Sequence, residues 1–462
     1  MSTFLRVKGN KLVDGGEKQV ILRGAGLGGW MNTKAIRDAS IKSGKLWLRQ
    51  LARRSPSSSL TRHVYRLSLH FQDADAAFFK SLGLNCIRLP FNYRHFEDDM
   101  NPRVFKESGF KHLDRVIEIC AQHGIYTILD LHTAPGGQNP DWHSDNGGHI
   151  ANFWNHKDFQ DRVLWLWGEL AKHYKDNKWI AGYNPLNEPA DPKHIRLIKF
   201  YDDVYSAIRS VDPNHIIFFD GDTFASDFSH FGDAHQRWSN TAYSIHDYST
   251  FGFPKAPEYV GSDEQKDKMK DRYVKKRQWM DERGLCVWNG EWGPVYARKQ
   301  YDGEPTDATE RSVHNRLDTL SWSIWLYKDI GFQGMVYTSL DTPYLTLFKD
   351  FLAKKHRLAA DAWGADDTAV KHVYQPLLDH ILSVVPEQYQ NIYPWSPARR
   401  LSRLTRDILV SEFLVKEWAD HFVGKSEAEL DELAKSFRFQ NCVKREELNA
   451  ILSADAREQG QL

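Results

Sequence analysis

Two glutamates, Glu188 and Glu291, each follow a short apolar run that is typical of a buried strand, at residues 180–186 and 285–289. Hydrolysis of a glycosidic bond needs one carboxyl group that protonates the leaving oxygen. It also needs a second one that attacks the anomeric carbon or activates water. A glutamate at the start of a helix can also be a simple partner of the helix dipole. Two glutamates at equivalent strand ends nevertheless make paired-carboxylate chemistry the first hypothesis.

Further polar residues stand at or just after the ends of other predicted strands, and they are Arg88, His132, Asn187, His246 and Tyr248. A single polar residue after a strand is usually a turn residue or a helix cap, but this combination is difficult to assign to capping alone. Arg88 could keep the Glu291 carboxylate charged, and Tyr248 could donate a hydrogen bond to it. Asn187 could bind a sugar 2-hydroxyl. His132 and His246 could bind other hydroxyls.

A metal site is the alternative for the two histidines, with Asp130 and Asp247 as further ligands. Asp130 lies two residues before His132, and the sequence contains no H-x-H or H-E-x-x-H pair. Metal sites of hydrolases are usually recognised by an H-x-H or H-E-x-x-H pair. The pattern therefore favours paired carboxylates and predicts no metal.

Short apolar runs alternate with amphipathic stretches along most of the chain. Strands are predicted at residues 20–22, 84–89, 125–131, 180–186, 216–219, 241–245, 285–289 and 334–340. Helices are predicted between most of them, for example at residues 113–120, 160–172, 197–208 and 313–327. Eight alternations over about 300 residues indicate a closed parallel (β/α)8 barrel, or TIM barrel. Because the carboxyl ends of barrel strands converge on one face, the polar residues at those ends should share a site.

Three parts of the chain are distinguished by their composition. Residues 1–345 are assigned to the barrel, and residues 346–462 to a helical C-terminal extension packed on it, with helices at 409–422 and 427–437. No chemistry is visible in this extension. Residues 33–70 are basic and rich in serine, which predicts a surface loop inserted into the barrel.

The composition also bears on partners and location. The formal net charge is zero, so nothing favours binding to nucleic acid or to an anionic membrane. The sequence has neither an apolar stretch long enough for a membrane span nor the apolar region of a signal peptide. The four cysteines show no C-x-x-C spacing and no N-x-S/T site occurs, which together predict a cytoplasmic location. The 16 tryptophans could equally fill a core or stack on sugar rings.

The ordered motifs resemble glycoside hydrolase family 5, a family of retaining enzymes, over about residues 4–345. These motifs are Arg88-Leu89-Pro90, Leu131-His132, Asn187-Glu188-Pro189, His246-x-Tyr248 and Glu291-Trp292-Gly293. The resemblance implies an acid/base at Glu188, a nucleophile at Glu291 and no cofactor. It implies sugar-binding roles for a larger set, which consists of Arg88, His132, Asn187, His246, Tyr248, Trp30, Asn139 and Trp292.

The stretch from Asp130 to Asn139 looks like a loop of the family's exo-β-glucanase and β-glucosidase branches. It favours exo-acting, retaining hydrolysis of a β-glucoside, with the two carboxyl groups about 5–5.5 Å apart. The negative charge of Glu291 should then raise the pKa of Glu188. A β-xylosidase, a β-mannosidase, an endo-β-glucanase and a non-catalytic carbohydrate-binding barrel are the alternatives.

Two features depart from the family pattern. The family usually carries a tryptophan at the end of strand eight as a floor for the sugar, whereas the predicted strand 334–340 offers Tyr337 or Thr338 there. Relatives of this branch also tend to have a glutamate a few residues after the glycines of strand one. Here Gly28-Gly29-Trp30 is followed by Met31-Asn32-Thr33-Lys34. The sequence therefore predicts a sugar site without that tryptophan and without that acid.

Overall fold

The computed structural model describes residues 4–29, 31, 71–146, 148–248, 251, 257, 259–295, 320–360 and 367–458. The chain begins with a small antiparallel sheet of three strands, β1 (Arg6–Lys8), β2 (Lys11–Val13) and β3 (Gln19–Val20). Leu5, Leu12 and Leu22 pack against residues at the beginnings of the barrel strands, such as Cys86 and Ile216. This sheet therefore covers the amino-terminal end of the barrel.

Eight parallel strands form the closed barrel that the sequence predicts. They are β4 (Arg23–Gly26), β5 (Cys86–Asn92), β6 (Tyr126–Thr133), β7 (Ile180–Asn184), β8 (Ile216–Asp220), β9 (Thr241–His246), β10 (Val287–Trp292) and β11 (Ser321–Ile324). Around the barrel the order is β10-β11-β4-β5-β6-β7-β8-β9. Nearly every residue of these strands is buried, as expected for parallel strands covered by helices on their outer face.

Helices separate most of the barrel strands. They are α1 (Asp73–Ser81), α2 (Ser108–Gln122), α3 (Lys157–Tyr174), α4 (Arg196–Arg209) and α5 (Asp263–Asp281). In α2 the buried side chains Phe110, Leu113, Val116, Ile117 and Cys120 recur at intervals of three or four residues. This spacing places them on one helix face, which packs on the barrel.

The eighth strand is the one clear error in the predicted order. The prediction placed it at residues 334–340 and assigned residues 313–327 to a helix. In the structure β11 lies at Ser321–Ile324, where buried Trp322 pairs with Arg23 of β4 and closes the barrel. The first barrel strand is likewise Arg23–Gly26, directly after the predicted residues 20–22. Helical and strand periodicity are hard to distinguish over such a short apolar run.

The C-terminal part of the chain is largely helical. Its helices are α6 (Pro343–Leu347), α7 (Lys349–Arg357), α8 (Thr368–Val384), α9 (Pro397–Arg403), α10 (Val410–Asp420), α11 (Glu427–Lys435) and α12 (Glu446–Glu458). A second small sheet joins β12 (Lys328–Asp329), β13 (Val336–Thr338) and β14 (Cys442–Lys444). The predicted strand at 334–340 thus belongs to this sheet and lies outside the barrel. The division of the chain near residue 345 stays a prediction.

Helix α12 contributes to the main hydrophobic core through Leu448, Ile451, Leu452 and Ala456. None of the described helices is long and apolar enough to span a membrane. The predicted inserted loop at residues 33–70 lies outside the described residues.

A buried ion pair joins α12 to the barrel. Asp455 pairs with Arg23 of β4, and the indole nitrogen of Trp322 donates to the same carboxylate at 3.2 Å. Both charged side chains are buried. Removing one partner of such a pair leaves an uncompensated charge in the protein interior, which costs more than the pair itself contributes.

We therefore expect Asp455→Ala to lower the free energy of unfolding by about 3–5 kcal/mol. Urea denaturation followed by tryptophan fluorescence measures this change. Arg457→Ala, on the exposed face of the same helix, is the control and should change stability by less than about 0.5 kcal/mol. Equal effects of the two substitutions would contradict the importance of the buried pair.

Candidate active site

A cavity of about 600 Å³ opens at the carboxyl ends of the barrel strands. The strand-end residues that line it are His132, Glu188, His246, Tyr248, Glu291 and Trp325. Loops after β6 and β8, helix α5 and the C-terminal extension form the rest of its wall. The polar strand ends thus meet on one face of the barrel, as their positions in the sequence predict.

Glu291, in β10, accepts hydrogen bonds at both carboxylate oxygens. Arg88 Nη1 donates to Oε1 at 2.5 Å, and the Tyr248 hydroxyl donates to Oε2 at 2.6 Å. The other terminal nitrogen of Arg88 donates to Asn184 Oδ1 at 2.9 Å and to Asn187 Oδ1 at 2.7 Å. Burial alone would lower the pKa of Arg88. The neighbouring carboxylates have the larger, opposite effect, so the pKa lies above its ordinary value and the guanidinium stays charged. Glu291 is therefore held in place beside a permanent positive charge.

Asp130 lies on the other side of Arg88 and supports His132. It contacts Arg88 Nη2 at 3.2 Å and His132 Nδ1 at 2.9 Å. Burial raises the pKa of Asp130 to about 7, against the lowering effect of Arg88. The His132 ring is nearly parallel to Trp325, with ring centroids 5.3 Å apart. His132 is therefore fixed between a carboxyl group and an aromatic ring at the cavity wall.

Glu188 occupies a strained backbone position. Its φ is 46°, a left-handed conformation that is unfavourable for residues with a side chain. Its backbone N–H donates to Asp220 Oδ2 at 2.9 Å, and its carbonyl accepts from Asn139 Nδ2 at 2.8 Å. These two bonds fix the backbone on both sides of the residue, so the carboxyl group points into the cavity. Strain of this kind is common at functional sites.

Two histidines contact the Glu188 carboxylate. His246 Nδ1 lies 2.7 Å from Oε1, and His143 Nε2 lies 3.0 Å from Oε2. Burial alone would raise the pKa of Glu188, but His143 and His246 together hold that pKa well below its ordinary value. From the charge of Glu291, the sequence predicts a raised pKa for Glu188. That prediction was wrong because His143, which stands ten residues after β6, was not recognised as a neighbour of Glu188.

The two carboxylates are close together. One oxygen of Glu188, one oxygen of Glu291 and one nitrogen of His246 all lie within 4.8 Å of one another. Among the described residues this is the one group whose donor atoms are close enough to share a cation. Both oxygens of Glu291 already accept hydrogen bonds, and Arg88 places a positive charge beside them. The arrangement therefore suits a pair of reacting carboxylates better than a metal site.

Asn187 is buried and lies beside Arg88, away from the cavity wall. Its side-chain nitrogen has no hydrogen-bond partner among the described residues. Burying an unsatisfied amide is costly, so a bound hydroxyl group would be a favourable partner. The contact between Asn187 and a sugar stays a prediction.

Asn139 and Trp292, like Arg88 and Asn187, are not among the residues that line the cavity. The Asn139 side chain is buried in the loop after β6, where it also contacts His143 Nε2 at 2.8 Å. Trp292 packs edge-to-face on Trp322 at 5.3 Å and is buried within the barrel wall. Contacts of Asn139 and Trp292 with a sugar stay predictions. Trp30 lies outside the described residues.

Three features of the site were missed. Trp325 directly follows β11 and lines the cavity, so the aromatic residue thought to be absent after strand eight is present. His143 was not recognised as a partner of Glu188. The C-terminal extension, to which no chemistry was assigned, contributes Trp395 and several arginines to the cavity. The alternation Ser321-Trp322-Ser323-Ile324 could have identified β11, and with it Trp325.

Comparisons with known proteins agree with this geometry. Residues 59–329 match the family model described as cellulase (glycosyl hydrolase family 5). The chain is 63% identical to a β-xylosidase of Phanerodontia chrysosporium, over 98% of each chain. It is 28% identical to endoglucanase C of Acetivibrio thermocellus, over 37% of this chain and 48% of that protein. The crystal structure of an endogalactoceramidase shares the fold, with a TM-score of 0.50 and 16% identity over 70% of this chain and 75% of the other.

Replacement of His143 should raise the pKa of Glu188. In His143→Phe the first of the two histidines that lower this pKa is lost, while the burial that raises it remains. Infrared titration of the carboxyl group, taken as a difference against Glu188→Gln in the same background, measures the pKa. His156→Phe, at an exposed position, is the control and should leave it unchanged. An unchanged or lower pKa in His143→Phe would contradict this account.

Proposed function

The chain belongs to glycosyl hydrolase family 5 and is a glycoside hydrolase, and we propose that it removes terminal β-xylosyl groups with retention of configuration. The mechanism is proposed from the geometry of Glu188 and Glu291. The sugar is proposed from the 63% identity, over nearly the whole chain, to a protein named β-xylosidase. This choice replaces the β-glucoside that the loop from Asp130 to Asn139 favoured.

The distance between the two carboxylates carries the proposal of retention. Oxygen atoms of Glu188 and Glu291 lie within 4.8 Å of each other. Retaining enzymes hold their two carboxyl groups about 5–5.5 Å apart, whereas inverting enzymes need about 6.5–9.5 Å to admit a water molecule. A pair this close leaves too little room for that water. Direct attack by one carboxylate is therefore the chemistry that fits.

Glu291 is the proposed nucleophile. Arg88 and Tyr248 donate to its two oxygens, so its orientation is fixed and its charge is stabilised before the substrate arrives. Attack on the anomeric carbon forms a glycosyl ester and breaks the bond to the leaving oxygen. In the second step water hydrolyses that ester. The Glu291 carboxylate regains its negative charge, which the Arg88 guanidinium stabilises.

Glu188 is the proposed acid in the first step and the base in the second. The proton it must deliver is shared with His246, because burial lowers the pKa of His246 but the nearby carboxylates raise it above its ordinary value. Glu188 and His246 therefore titrate as a coupled pair. A bound substrate removes water from Glu188, which favours its neutral form. The basic limb of the pH–rate profile should report the loss of this shared proton.

The sugar at the cleavage site would rest against Trp325 and His132. Their nearly parallel rings form one continuous wall beside the two carboxylates. The unpartnered amide nitrogen of Asn187 is suited to the 2-hydroxyl, whose hydrogen bond strengthens in the transition state. These contacts support binding of a single terminal sugar.

Azide should distinguish the two glutamates. We expect Glu291→Ala to lower kcat on the order of 10⁶-fold, because no group remains to attack the anomeric carbon. Azide can occupy the vacated space and should restore turnover with formation of an α-glycosyl azide. Glu188→Ala should slow poor leaving groups by about 10²–10⁴-fold and activated aryl glycosides much less. With azide it should yield the β-glycosyl azide, and NMR identifies both products.

The control for these variants is Glu282→Ala, which removes an exposed carboxylate at the end of α5. It should keep the wild-type rate and give no azide product. A β-azide from Glu291→Ala, or wild-type rates in both variants of the pair, would overturn the assigned roles.

The preferred sugar is tested with aryl β-xylosides, β-glucosides and β-mannosides that share one leaving group. A pocket fitted to xylose excludes a hydroxymethyl group, so we expect kcat/KM for the xyloside to exceed the others by about 10–200-fold. Chromatography of a long xylo-oligosaccharide digest should show xylose as the first product, since action is proposed at chain ends. A preference for the glucoside, or release of internal fragments first, would replace this part of the proposal.

A further inference from the structure

Part of the cavity wall is strongly basic. It contains five cationic residues, here called the basic wall, which are Arg272, Lys276, Arg399, Arg403 and Arg406. Apart from Glu188 and Glu291, Asp141 is the acidic residue among the described residues that line this cavity. A chain with zero net charge thus concentrates positive charge in the wall of this cavity.

Several members of the basic wall have structural partners. Lys276 contacts Asp247 at 3.1 Å, and Arg403 contacts Asp141 at 3.4 Å. Arg406 donates to the carbonyl of Ala359 at 2.9 Å. These contacts fix the positions of the cations and only partly neutralise them.

Arg399 is different from the other members. Its side chain is exposed, and its guanidinium makes no hydrogen bond or ion pair with any residue that the structure describes. It lies over the Trp395 ring at 5.1 Å, and Arg403 lies over the same ring at 5.6 Å. Arg399 and Arg403 are four residues apart on α9, where like charges repel. Partial enclosure and the charge of Arg403 lower the pKa of Arg399, whereas the carboxylate of Asp141 raises it by less. A ligand carboxylate beside the two guanidinium groups would add to the relief of this repulsion that Asp141 provides.

A series of side-chain contacts links the basic wall to Glu188, the proposed proton donor. His143 contacts Glu188 at 3.0 Å and meets the edge of Phe224, with ring centroids 6.2 Å apart. Phe224 is in turn parallel to Trp395 at 5.9 Å, and Trp395 carries Arg399. Because the acid protonates the departing oxygen, this side of the cavity receives the leaving group. The arginines therefore face the aglycone and not the sugar that is transferred.

A neutral sugar or alcohol gains less from adjacent arginines than a carboxylate, which matches the planar guanidinium and binds it through charge-assisted hydrogen bonds. Resting on the xylosidase function proposed above, we propose that the enzyme accepts leaving groups that carry a carboxylate, which Arg399 and Arg403 bind at the Trp395 side of the cavity. The substrate class is thus a β-glycoside with an acidic aglycone.

Two matched aryl β-xylosides test this inference. One carries 3-(4-hydroxyphenyl)propanoic acid as the leaving group, and the other carries its amide. The saturated spacer keeps the acidity of the two phenols nearly equal, so chemistry at the scissile bond is the same. We expect kcat/KM of the wild-type enzyme at low ionic strength to favour the acid by about tenfold, the size of one charge-assisted hydrogen bond. Added salt should reduce this ratio.

Substitutions of Arg399 test whether this residue causes the preference for the acid over the amide. In Arg399→Gln the acid-to-amide ratio should fall towards one, and Arg399→Lys should retain part of it because the charge remains without the planar fork. Arg457→Gln removes the same charge at an exposed position on α12 and should keep the wild-type ratio. Measuring a ratio within each variant cancels any general loss of activity.

The outcomes separate the two proposals. If the wild-type enzyme cleaves the amide as fast as the acid, or if Arg399→Gln keeps the full preference, the acidic-aglycone inference is overturned and the glycosidase function stands. The simple substrate 4-nitrophenyl β-xyloside, which has no carboxylate, tests the proposed xylosidase function by itself. Failure to cleave any of the three xylosides would overturn the proposed xylosidase function and the inference with it.

Discussion

The guanidinium of Arg88 lies inside the barrel without exposed surface, and it contacts groups from three other strands or strand ends. Asp130 belongs to β6, Asn184 and Asn187 belong to β7 and the loop after it, and Glu291 belongs to β10. A buried charge is tolerated only when such contacts satisfy it, and losing one partner is costly. The position of the Glu291 carboxylate therefore depends on the register of these strands. A closed barrel provides this, because every strand is held by two neighbours.

Charge balance around Glu188 depends on the same arrangement. Arg88 offsets the charges of Glu291 and Asp130, which leaves Glu188 to be matched by His143 and His246. The histidines lower the pKa of Glu188, while the surrounding carboxylates raise that of His246. The proton needed for catalysis is thus stored in a hydrogen-bonded group and not on one isolated acid. Water exclusion by a substrate is the physical event that shifts it towards Glu188.

The C-terminal extension contributes to both ends of the barrel. Through Asp455 it pairs with Arg23 and Trp322, and the leucines of α12 join the main core. Through Trp395 and Arg399 it forms part of the cavity wall at the opposite, carboxyl end. One segment therefore couples the stability of the barrel to the shape and charge of the aglycone side.

The sequence by itself determined the barrel and the positions of Glu188 and Glu291, because strand periodicity and the residue that follows a buried strand are local properties. Strand eight was misplaced because its polar–apolar alternation covers only four residues and lies within a longer stretch, 313–327, that was assigned to a helix. Only the tertiary structure brought His143 to Glu188 and Arg399 to the cavity. It also reversed the expected direction of the Glu188 pKa. These contacts join segments that are far apart in the chain or separated by irregular loops, and no local pattern encodes where such segments meet.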